Sequence, residues 1–76
     1  SKNYLSFRFT KDMGIKFTEY IKKLRVYKAK HLLTNTNYSM HYIATICGFK
    51  TQSYFSYVFK EVTGLSPLNF KNTFSK

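Results

Sequence analysis

Six residues near the start of this chain, Tyr4-Leu5-Ser6-Phe7-Arg8-Phe9, come back fifty positions later as Tyr54-Phe55-Ser56-Tyr57-Val58-Phe59. Gly14-Ile15 likewise comes back as Gly64-Leu65, and the match runs without a gap from Tyr4/Tyr54 to Tyr20/Phe70. Tyr, Ser, Phe and Gly recur identically, while Leu5/Phe55, Phe7/Tyr57, Ile15/Leu65 and Tyr20/Phe70 keep bulky apolar or aromatic character. Self-similarity of this kind means that one supersecondary unit is used twice. The fold must therefore place two similar units on either side of a connector.

A chain of 76 residues makes at most one small domain, which buries only about 60% of its extended-chain surface. Eight Phe and seven Tyr compensate, because each ring supplies a large apolar area. A single cysteine, Cys47, excludes an internal disulfide and any multi-cysteine metal site. Thirteen Lys and Arg face only Asp12, Glu19 and Glu61, for a net charge of +10. That excess favours a polyanion, either nucleic acid or an anionic membrane surface. A lysine-rich proteome explains part of it, but not three acidic residues in 76. No apolar run reaches the 18 or more residues of a membrane span and no signal-peptide pattern opens the chain, so no membrane partner and a cytoplasmic location are expected.

The apolar spacing is helical nearly throughout, which makes the fold class all-α. Tyr4, Leu5 and Phe9 fit a short helix within residues 1–13, with Gly14 as its C-cap. Phe17, Tyr20, Ile21, Leu24, Ala29, Leu32 and Leu33 form a stripe on a long helix over 17–34, and Thr34-Asn35-Thr36-Asn37 is a polar break. Ser39 caps a short helix through Ile43 and Ile46, Gly48 interrupts it, and Thr51 caps a second helix that buries Tyr54, Phe55, Val58, Phe59 and Val62 before Gly64. Ser66-Pro67 opens a final helix, giving a unit over 66–74. Residues 39–63 thus read as a helix-turn-helix, in which Ala44 lets the helices approach and Gly48 accepts a positive φ.

These residues resemble a known family. Ile43-Ala44, Gly48-Phe49, Ser53-Tyr54-Phe55, Phe59-Lys60, Gly64, Ser66-Pro67 and Phe70 stand at the spacing of the signature of the AraC/XylS transcription regulators. Upstream, Phe17, Tyr20-Ile21, Arg25-Val26, Ala29 and Leu32-Leu33 are similar to that family's linker helix. The resemblance covers essentially the whole chain and implies one DNA-binding domain of tandem helix-turn-helix units joined by a long linker helix. It also implies a regulator, an activator in most of the family, whose effector or dimerisation domain precedes Ser1 and which can engage RNA polymerase. The block Ser39–Phe49 has no counterpart before Ser1, so the first unit is expected to be incomplete at its N-terminus. Phe7-Arg8 inverts the family's frequent order of a basic and an apolar residue, and Lys16 stands where the second copy has the capping Ser66.

Helix geometry puts Lys50, Thr51, Gln52, Ser53, Ser56, Tyr57 and Lys60 opposite the core face of the second recognition helix. Shifting by fifty gives Lys2, Asn3, Ser6 and Phe7 in the first. Gln and Asn can pair bidentately with adenine, Ser can meet several bases, and Phe can meet a thymine methyl. The resemblance places base contacts at Asn3, Ser6, Phe7, Gln52, Ser53 and Tyr57. Lys2, Lys11, Lys16, Lys50, Thr51, Ser56, Lys60 and Lys71 are assigned to the phosphate backbone, which takes half or more of protein–DNA hydrogen bonds. An 18-residue linker is about 27 Å long, compatible with two recognition helices about 34 Å apart, one DNA turn. His31, His41 and Cys47 have no partner at ligand or catalytic spacing, and the three carboxylates form no acid–base pair, so neither a cofactor nor an enzyme is expected. The rival readings are a DNA-targeting module of a repair methyltransferase and a basic element binding nucleic acid or anionic membrane through charge alone.

Overall fold

The computed structural model describes Thr10, Lys11, Gly14 and residues 16–75, and among these every regular element is helical. Thr10 and Lys11 lie in helix, and Gly14, at φ 75°, donates its N–H to the Thr10 carbonyl at 2.9 Å. Four helices follow: α1 (Phe17–Asn35), α2 (Met40–Ile46), α3 (Gln52–Thr63) and α4 (Pro67–Phe74). The long helix runs Phe17–Asn35, against the 17–34 read from the spacing.

Helix α1 begins without a side-chain cap, since Lys16 has no oxygen to offer the first-turn amides. Its far end is well satisfied. Thr36 gives both its N–H (3.0 Å) and its Oγ1 (2.7 Å) to the Leu32 carbonyl, while Asn35 Nδ2 donates to His31 O at 2.8 Å. The polar Thr34-Asn35-Thr36 segment is thus a helix terminus as well as a break.

Ser39 Oγ accepts from Tyr42 N at 3.0 Å, Thr51 Oγ1 from Tyr54 N at 3.0 Å and Ser66 Oγ from Asn69 N at 3.1 Å. Each bond satisfies one of the amides that a helix start leaves without a partner, an effect of about 1 kcal/mol per cap.

The turn between α2 and α3 positions everything downstream. Phe49 N–H reaches back to Ala44 O (2.9 Å) and Gly48 N–H to Thr45 O (3.1 Å), with Gly48 at φ 93°. That pair of bonds is a Schellman motif, and it needs a residue that tolerates positive φ. Phe49 then folds inward, 6% exposed, and its ring lies 5.2 Å from Phe55.

The core joins Val26, Ala29 and Leu33 of α1 to Ile43 and Ala44 of α2, Cys47 and Phe49 of the turn, and Phe55, Val58 and Phe59 of α3. Phe70 of α4 closes it, edge-on to Phe59 at 5.4 Å.

Three residues expected inside lie outside. Leu24 is 47% exposed, Tyr54 46% and Val62 40%. Leu24 precedes the buried Val26 by two positions, about 200° around a helix, so it cannot share that inward face. Tyr54 sits on the flank of α3, its ring 6.2 Å from that of Phe49 and tilted 59° to it. Val62 lies one turn past Val58, at the end of α3 where the core cluster has already closed.

Candidate nucleic-acid interface

Helix α3 buries Phe55, Val58 and Phe59, which forces the residues between them outward. Gln52, Ser53, Tyr57 and Lys60 are exposed, Ser56 is half-buried, and Lys50 and Thr51 stand exposed at the entrance to the helix. The helix is held at its start by the Thr51 cap and at its end by Gly64, φ 85°, whose N–H meets Lys60 O at 2.8 Å. One rigid surface therefore carries an amide, two serine hydroxyls, a phenol and two ammonium groups. These are hydrogen-bonding groups suited to base edges and phosphates.

The rest of the expected contact set divides three ways. Lys2, Asn3, Ser6 and Phe7 lie outside the described residues. Lys11 and Lys16 are exposed, the latter immediately before α1. Lys71 is placed otherwise than the sequence reading had it. Its ammonium donates to Leu33 O (3.2 Å) and Thr36 O (3.0 Å), part-buried between α4 and the end of α1. With two of its three donors spent on backbone carbonyls at a helix C-terminus, where positive charge is favoured, Lys71 joins two elements of the fold.

A second lysine does similar work. Lys28 of α1 donates to Ile46 O at 3.2 Å, at the C-terminal end of α2. Beside it Arg25 lies against the turn, its Nε 3.0 Å from where a Cβ on Gly48 would stand. The linker helix thus grips the turn of the helix-turn-helix with two cations. Nothing in the linear order marks this, because the partners are a carbonyl and a glycine 18 and 23 positions away.

Glu61 was also not among the expected contact residues. Its Oε2 accepts from the Tyr57 hydroxyl at 3.3 Å. The i, i+4 spacing of this pair was visible in the sequence.

Other groups are quiet. His31 and His41 are exposed. Cys47 is buried, and that burial pushes its thiol up despite the nearby Lys28 ammonium, which keeps it protonated and unreactive at neutral pH. Among the described residues no group of three His, Cys, Asp or Glu is placed to hold a metal ion. Among them, too, no helix is long and apolar enough to cross a membrane.

The family model of a helix-turn-helix domain, of the AraC type, matches residues 1–73. The chain belongs to the AraC-type helix-turn-helix family. It is 32% identical over 72 residues to the transcriptional activator RhaR of Escherichia coli, a match covering 95% of this chain and 26% of that protein. Among solved structures, the C-terminal domain of AraT, a response regulator from Geobacillus stearothermophilus, superposes with a TM-score of 0.93 at 38% identity. That match covers 100% of this chain and 63% of the other. The DNA-binding domain of AdpA, a global transcriptional factor solved in complex with a target DNA, gives a TM-score of 0.86 at 26% identity, over 96% of this chain and 66% of that one. This AraC-type chain spans about a quarter of the length of the curated relatives it matches. Those relatives are transcription regulators, and the AraC-type domain is a DNA-binding module rather than an enzyme.

Proposed function

We propose that this chain is the sequence-specific, double-stranded DNA-binding domain of a bacterial transcription regulator, with α3 lying in the major groove. The observation that carries the reading is the exposed polar face of α3, fixed in place by the Gly48 turn, the Thr51 cap and the Phe55–Phe59 anchor. Gln52, Ser53 and Tyr57 face base edges, while Lys50, Thr51, Ser56 and Lys60 meet phosphates. Lys11 and Lys16 extend the basic surface toward the first unit. By the fifty-residue repeat in the sequence, Asn3, Ser6 and Phe7 are assigned to base contacts in the neighbouring groove, with Lys2 on the backbone.

The parent protein is an activator, as RhaR is named, acting on DNA in the cytoplasm and engaging RNA polymerase. An effector or dimerisation domain precedes this one. Because the two reading helices differ in sequence, the operator is asymmetric.

The test is fluorescence anisotropy on the promoter duplex against a scrambled duplex of the same composition, repeated across salt. Preferential binding to the promoter that persists at physiological salt is expected, with log affinity falling by about 0.9 per log unit of salt for each phosphate contacted. Equal affinity for both duplexes at that salt would overturn the proposal.

A further inference from the structure

Only three residues of this chain are acidic, and one of them, Glu61, stands on the helix proposed to enter a polyanion. A carboxylate there opposes phosphate binding, so its presence calls for a positive reason. Around it the structure shows a shallow surface hollow of about 300 Å³ lined by Tyr57, Lys60 and Glu61. The Tyr57 ring lies 6.5 Å from that of Tyr54 at an interplanar angle of 26°, and Tyr54 in turn lies 6.2 Å from the core residue Phe49. Its hydroxyl then donates to Glu61 Oε2 at 3.3 Å.

The polarity of that hydroxyl is the consequence. A phenol has one proton to give and lone pairs to receive. When the proton goes to an anionic acceptor, which takes a hydrogen bond more strongly than a neutral one, only accepting capacity is left. We propose that Glu61 makes Tyr57 an acceptor-only reader, selecting a base that presents an exocyclic amine in the major groove (adenine or cytosine). A guanine O6 or thymine O4 presented to the same oxygen finds no donor, and a negative charge behind it. Glu61 is a positioning residue in this scheme, acting through Tyr57. The inference rests on the proposal that α3 reads DNA, and it adds the base class read at one position.

The experiment selects binding sites from a randomised duplex pool with the full chain and with its Y57F, E61A and E61Q variants. Both residues are exposed, and far-UV circular dichroism of each variant checks that the helices persist. The unaltered chain should enrich a motif in which Y57F relaxes one base pair, and removing the major-groove exocyclic amine of that pair (purine in place of adenine, for example) should weaken its binding. E61A frees the phenolic proton, so preference at that same position should fall by roughly 5- to 10-fold while affinity for unrelated duplexes rises. E61Q keeps an acceptor oxygen without the charge and should show a preference between those of the unaltered chain and E61A. An unchanged base profile in E61A, or undiminished binding when that amine is removed, overturns this inference and leaves DNA reading intact. A pool with no enriched motif overturns the reading of α3 and this inference with it.

Discussion

Gln52 and Lys60 share one exposed face, yet their chemistry separates them. Gln52 carries a donor and an acceptor in one plane, which matches adenine's edge, whereas Lys60 is a point charge. Gln52→Ala should lower affinity by about 1–3 kcal/mol at one base pair and relax the preference there. Lys60→Ala should weaken all sequences alike and reduce the salt slope by about one. Anisotropy titrations on singly substituted duplexes at two salt concentrations distinguish the two, and a reversed pattern would exchange their roles. Backbone demands are as local as these. Gly48 and Gly64 sit at φ 93° and 85°, where a Cβ costs about 1–2 kcal/mol. Gly48→Ala must also push back Arg25, whose Nε would stand 3.0 Å from the new methyl, whereas nothing lies within 4 Å at Gly64. Urea melts should show both variants destabilised, Gly48→Ala the more.

At the level of elements, the helix starts were legible in the sequence because a cap is a short-range event. Ser39, Thr51 and Ser66 each bond an amide three residues on, so residue type and spacing identify them. The helix ends were less legible. The C-terminus of α1 is completed by Lys71 of α4, 35 and 38 positions away, and that of α2 by Lys28 of α1. Read alone, a lysine in a chain of charge +10 is a candidate phosphate ligand. Only the packing shows that these two serve carbonyls. Lys71→Met keeps the stem and removes the ammonium, so it should cost about 1.5–3 kcal/mol of stability, the range for hydrogen bonds to charged groups. The salt slope of DNA binding should stay unchanged. A slope reduced by one at unchanged stability would restore Lys71 to the phosphate surface.

Across the whole molecule, one aromatic relay ties the reading helix to its supports. Phe49, Phe55, Phe59 and Phe70 follow one another at ring distances of 5.2, 5.7 and 5.4 Å, linking the turn, α3 and α4. Phe59 is fully buried at the middle of this chain of rings. Phe59→Ala should therefore cost about 3–5 kcal/mol, a large part of a small domain's stability, and specific DNA binding should be lost together with the cooperative melt. A variant that melts normally yet loses binding would argue against this coupling. The sequence by itself determined the helical class, the capped starts, the glycine turns and the outward face of α3, because each depends on residues within a few positions of one another. The tertiary structure decided which apolar residues were left outside, as at Leu24, Tyr54 and Val62, and which cations hold carbonyls. Those outcomes depend on which neighbouring helix covers a given face, and distant segments supply that cover.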